Sequence, residues 1–135
     1  MNDWNNKIIE EFHANGGKVG GPFERSTLLL LTTTGAKSGK QRTTPLAYLS
    51  DGDRYIIFAS KAGQPMNPDW YHNLVAHPTV TIEVGTETFG ARAMEITGEE
   101  RDRLYAKQVE RAPAFSEYQT KTTRLIPVIA LERQG

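Results

Sequence analysis

The chain has 135 residues, 38% hydrophobic and 24% charged, and its 16 basic and 16 acidic side chains balance to a formal net charge of zero. That length suits one domain around one core, and a neutral balance argues against a dedicated nucleic-acid binder, which carries a basic excess. The absence of cysteine excludes disulfides, thiolate metal ligands and cysteine nucleophiles.

The opening stretch, MNDWNNKIIEEF, lacks the basic segment and long apolar core of a secretory signal. No apolar run approaches the roughly 18 residues that span a bilayer, so a cytoplasmic location is expected. Asp3 to Ala14 reads as a helix with Trp4, Ile8 and Phe12 on one stripe. Asn2 or Asp3 caps its start and Asn15-Gly16-Gly17 stops it. Residues 1–20 then form a helical arm, whose stripe can cover the core, meet a second copy in a homodimer, or rest on the inner face of the cell membrane. Core cover is the commonest fate of such a stripe. Lys18 to Arg25 is a loop.

Leu28 to Leu31 reads as a strand buried on both faces, extended by Thr32 to Thr34. Gly35 and Gly39 bracket a tight turn, with Lys37, Ser38, Lys40 and Arg42 in and just after it. No Asp or Glu occurs from Ser26 to Ser50, so these cations are a local asymmetry in a neutral chain. Backbone N–H groups of a glycine turn beside cations make a grip for phosphate or carboxylate. A nucleotide-hydrolase phosphate loop is excluded by spacing: three residues separate Gly35 from Gly39, Gln41 follows Lys40, and Pro45 leads to another strand instead of a helix. The competing account is a solvated hairpin turn with ordinary surface lysines, the better reading of a basic turn taken alone.

Thr43 to Leu49 and Arg54 to Ala59 read as strands joined at Ser50-Asp51-Gly52-Asp53. A second glycine turn, Ala62-Gly63-Gln64-Pro65, follows Ser60-Lys61, and Asn67-Pro68 reads as an N-cap and first helical residue. That helix runs to just before His77-Pro78, and Thr79 to Val84 with Glu87 to Ile96 form a hairpin about Gly85-Thr86. Thr97 with Glu100 reads as a capping box opening a helix through Leu104 and Val109, interrupted at Ala112-Pro113. A short helical turn holds Phe115 and Tyr118, and Leu125 to Glu132 is the last strand, with Pro127 suggesting an edge position or a bulge. Six or so strands with short helices indicate an α+β, mainly β chain: a small antiparallel barrel with flanking helices.

His13, His72 and His77 read as surface or capping residues, with spacing poor for a metal. Ser38 and Ser60 lack a sequence pattern for a hydrolase nucleophile, and Trp70 and Tyr71, taken alone, read as core. No residue supplies redox chemistry of its own, so an enzyme of this sequence draws it from a bound cofactor.

TTTGAKSGKQRTTPL, FASKAG, NPDWYHNL and YQTKTTRLIPVIALE, in that order and in one register from about Asn5 to Arg133, resemble the deazaflavin-dependent nitroreductase and quinone reductase family. The resemblance implies a single split β-barrel domain over residues 1–135 and coenzyme F-420, an 8-hydroxy-5-deazaflavin with a phospholactyl-polyglutamate tail. It implies hydride transfer from the reduced ring to a small electron-poor acceptor such as a quinone, enone or nitro compound. By the same resemblance Lys37 and Arg42 meet the anionic tail, helped by Ala36 and Ser38. Phe58, Ala59, Ser60 and Lys61 line the ring. Asp69, Trp70, Tyr71, His72 and Asn73 close the pocket. Nitroimidazole-activating relatives carry tyrosine where this chain has Phe115, and an aromatic residue where it has Ala112. Phenylalanine keeps the wall and loses the hydroxyl, leaving Tyr118 and Ser60 as donors near the reaction and nitroimidazole activation disfavoured. A flavin mononucleotide enzyme, a non-catalytic flavin carrier and a protein using the basic turn for an anionic partner such as nucleic acid are the other readings.

Overall fold

The computed structural model describes residues 3–17, 28–63 and 66–134. The sequence-predicted loop from Lys18 to Arg25, the Gln64-Pro65 half of the second glycine turn and the side chain of Trp4 lie outside them. Helix α1 (Asp3–Ala14) precedes strands β1 (Leu28–Thr34), β2 (Gln41–Ala47), β3 (Leu49–Asp51) and β4 (Arg54–Phe58). A 3-10 turn at Lys61–Gly63 leads to α2 (Asp69–Ala76), then β5 (Thr79–Val84), β6 (Glu87–Ile96), α3 (Gly98–Arg111), α4 (Ala114–Thr120) and β7 (Val128–Arg133).

The strands form one antiparallel sheet in the order β2-β1-β5-β6-β7-β4-β3. Its two end strands, β2 and β3, are separated in the chain by Tyr48 alone. A sheet whose edges are joined by one residue has to curl until they meet, and the result is a split β-barrel.

Side-chain alternation then assigns two faces. Leu29, Leu31, Ile57, Ile82, Ile129 and Leu131 pack together in the barrel interior, joined by Trp70 and Leu74 of α2. The alternate residues face outward under helices. Leu28 and Leu30 lie beneath Ile8 and Phe12 of α1, and Ile56, Phe58, Val128 and Ala130 lie beneath Leu104 and Tyr105 of α3. Coverage on both sides is why β1 is an unbroken leucine run; each buried side chain contributes about 1.5–3 kcal/mol.

Several local expectations are corrected. The strand expected over Thr43–Leu49 is two strands broken at Tyr48, so the sheet has seven strands among the described residues. Helix α2 is capped by Pro68 without a side-chain bond, because the Asn67 carboxamide oxygen accepts from Arg124 Nη1 at 2.7 Å instead. Thr97 is the N-cap of α3 but forms no capping box; Glu100 faces Arg54. The last strand starts at Val128 and lies between β6 and β4, not at an edge. Pro127 is tolerated because it precedes the ladder, where only its carbonyl is used, accepting from Ala59 N–H at 3.0 Å.

Candidate active site

The β1–β2 connection folds on itself. Gly35 N–H donates to the Lys40 carbonyl at 2.8 Å, Gly39 N–H donates to the Gly35 carbonyl at 3.0 Å, and Lys40 N–H donates to Ser38 Oγ at 3.2 Å. A Cβ on Gly35 would stand 2.4 Å from Ser38 Oγ, so the folded-back hydroxyl requires glycine there. The loop is then fastened to α2. Ala36 N–H donates to Asn73 Oδ1 at 3.0 Å, and Asn73 Nδ2 donates to Thr33 Oγ1 at 3.2 Å. Asn73 is buried, so one amide ties strand, loop and helix.

Between loop and helix opens a cleft of about 640 Å³, lined by Gly35, Ala36, Lys37, Ser38, Arg42, Asp69, His72 and Asn73. Lys37 and Arg42 are exposed, and among the described residues neither has a carboxylate partner. Among the described residues Asp69 is the single acidic one in the lining, and it sits in the first turn of α2, where the helix dipole favours it. The cleft therefore offers two open cations and a backbone turn to an anionic ligand.

The remaining sequence-predicted site residues lie elsewhere. Phe58 and Phe115 meet edge to face at 5.7 Å, and Phe115 meets Tyr118 at 5.0 Å, in an aromatic group that also holds Tyr105. The Tyr105 hydroxyl donates to the Phe115 carbonyl at 2.6 Å. Ala59 is fully buried in the interior cluster and Trp70 belongs to the same core. Tyr71 turns toward β6 and donates its hydroxyl to Glu95. Burial, and then that hydrogen bond, push the Tyr71 phenol up to about 12. Ser60 and Lys61 sit where the chain leaves β4 for the 3-10 turn, and Lys61 holds a left-handed φ of 45°. That turn packs on α4 so closely that a Cβ on Gly63 would stand 2.7 Å from the Tyr118 carbonyl oxygen. Among the described residues no group of histidines and carboxylates could hold a metal.

Sequence reasoning gave no role to Arg124. Its guanidinium donates to the Ala59 carbonyl at 3.1 Å, the Ser60 carbonyl at 2.9 Å and Asn67 Oδ1 at 2.7 Å. Its own carbonyl accepts from Gln119 Nε2 at 2.8 Å, while Gln119 Oε1 accepts from Ile126 N–H and from the buried Arg101. It lies in the YQTKTTRLIPVIALE stretch that carries the resemblance, but only the spatial pairing shows what it holds.

Over residues 4–133 the sequence matches the family model of the F-420H(2)-dependent quinone reductases. The chain belongs to that family. A quinone reductase of this description from Mycobacterium tuberculosis is 46% identical over 109 residues, spanning 78% of this chain and 73% of the relative. A solved F-420-H2 dependent reductase aligns with a TM-score of 0.72 at 46% identity, covering 78% of this chain and 94% of that one. Another solved structure, described as a domain-swapped dimer, aligns with a TM-score of 0.74 at 41% identity over 96% of this chain and 98% of its own. For this quinone reductase family member the deazaflavin resemblance and the split-barrel fold agree.

Proposed function

We propose that the cleft between the β1–β2 loop and α2 holds the anionic tail of coenzyme F-420, with the ring reaching the Phe58–Lys61 segment. The protein is an oxidoreductase of the F-420H2-dependent class, as its family membership establishes. The observation that carries the site assignment is the pair of exposed cations, Lys37 and Arg42, beside a backbone turn pinned by Asn73. This donor set fits a phosphodiester and carboxylates: Arg42 can grip an oxyanion with two parallel N–H donors, and Lys37 adds a point charge.

The reduced deazaflavin, when bound, supplies a hydride to an electron-poor acceptor, of which a quinone is the favoured class. The chain's own residues bind, orient and shield. Lys37 and Arg42 anchor the tail, Asn73 holds their loop in register, and the aromatic group around Phe58 and Phe115 keeps water from one side. The Tyr71 hydroxyl is committed to Glu95, so Tyr118 and Ser60 are the candidate proton donors. Phe115 has no hydroxyl, which disfavours nitroimidazole activation. Residues 1–135 act as one domain in this reading, with 1–20 as its arm. Ile8 and Phe12 of that arm are already buried on β1, which leaves a membrane surface little to hold, and among the described residues no helix is long and apolar enough to cross a membrane. The domain-swapped relative supports a homodimer.

The test is acceptor-dependent reoxidation of F-420H2, followed by the return of deazaflavin absorbance. A soluble quinone is expected to drive it and a nitroimidazole to drive it poorly, with Phe115→Tyr raising nitroimidazole turnover. No quinone-dependent reoxidation would refute the assignment; unchanged nitroimidazole turnover in Phe115→Tyr would refute the role of that position.

A further inference from the structure

In a trans peptide the N–H points opposite to the C=O, and no described peptide is cis. The Ala59 and Ser60 carbonyls both turn to the Arg124 guanidinium, so the Ser60 and Lys61 N–H groups turn away from it. Among the described residues neither N–H has a hydrogen-bond acceptor. Lys61 holds a left-handed φ of 45°, a conformation that a non-glycine residue seldom adopts. A non-glycine residue in that region carries strain, and the donors on the Ser60 carbonyl, Arg124 Nη2 at 2.9 Å and Gly63 N–H at 2.9 Å, hold it there. Arg124 is in turn fixed by Gln119, which Arg101 ties to the Ile126 strand entry.

We propose that Arg124 is a positioning residue: by holding two consecutive carbonyls it aims the Ser60 and Lys61 N–H groups away from itself, as two donors for carbonyl or oxyanion oxygens on the cofactor ring. The proposal rests on the F-420 reading above. Arg124 touches neither ring nor acceptor; it acts through the backbone it aims.

The experiment titrates wild type, Arg124→Met, Arg124→Lys and Arg42→Ala with coenzyme F-420 and with its tail-less deazaflavin, by cofactor fluorescence, while amide NMR follows Ser60 and Lys61. Thermal melts establish that each variant is folded. Arg124→Met is expected to weaken both ligands by about tenfold, and to abolish the ligand-induced downfield shift of the two amides. Arg42→Ala is expected to weaken only the complete cofactor. If Arg124→Met does not fold, Arg124→Lys decides, with an expected loss of about threefold because an ammonium cannot hold both carbonyls in one plane. Unchanged affinity and unchanged amide shifts in the folded variant would overturn the proposal while leaving the F-420 reading intact. Failure of wild type to bind either ligand would overturn that reading, and the proposal with it.

Discussion

Arg54, Arg101, Arg103 and Arg133 each face a carboxylate, whereas Arg42 and Lys37 face the cleft with none among the described residues. Unpaired cations at a concave surface are what an anionic ligand requires, so Arg42→Ala is expected to weaken coenzyme F-420 by about tenfold, and Arg42→Lys by less but measurably. Higher salt should shrink the difference between wild type and variant, since these charges are exposed. Asn73 is the complementary case, a buried amide satisfied at both ends. Asn73→Ala strands Ala36 N–H and is expected to cost about 1–3 kcal/mol of stability by denaturant titration, with weaker cofactor binding because the loop is released. Tyr71 carries a pH signature. A phenol raised from 10.0 to about 12 in the folded state gives stability that is intact below pH 10 and lost as pH climbs toward 12. Tyr71→Phe should therefore lose less melting temperature than wild type between those two pH values. The basic turn was legible in the sequence because its glycines and cations are neighbours in the chain. Arg124 was not, because its partners Ala59, Ser60 and Asn67 lie more than fifty positions away.

At the scale of elements, hydrophobic patterning located the strands and helices, and local capping rules failed where tertiary partners competed. Asn67 has the right chemistry for an N-cap, yet a charged guanidinium is a stronger partner than a backbone N–H. Glu100 likewise faces Arg54 of β4 from α3 instead of closing a capping box. Pro127 suggested an edge because proline cannot donate to a ladder, but a proline one residue before the ladder has nothing to donate. The 3-10 turn makes the sharpest element-level prediction. Gly63 has a φ of 78° and no room for a Cβ beside Tyr118. Gly63→Ala is expected to lower stability by more than about 1 kcal/mol, and to reduce cofactor affinity by displacing the segment that carries Ser60 and Lys61. A melting temperature equal to wild type would show that the turn is not packed against α4 as described.

For the whole molecule, the sheet order decides which residues meet. Joining β2 to β3 through Tyr48 curls the sheet, gives the interior to one alternation of side chains and leaves the other for α1 and α3 to cover. The sequence indicated a barrel with flanking helices, but the seventh strand and the central place of β7 arise from pairing that no local window contains. The arm belongs to this architecture: Phe12 is 1% exposed against β1, and Phe12→Ala is expected to cost about 3–5 kcal/mol. A variant as stable as wild type would mean that α1 is not core cover. The central claim is that an anionic deazaflavin tail seats on the β1–β2 loop. Its most direct test is the affinity of wild type and Arg42→Ala for coenzyme F-420 beside flavin mononucleotide. Tight F-420 binding that depends on Arg42, with flavin mononucleotide bound weakly, is the expected result. Equal affinity in the two proteins, or a preference for flavin mononucleotide, would contradict it.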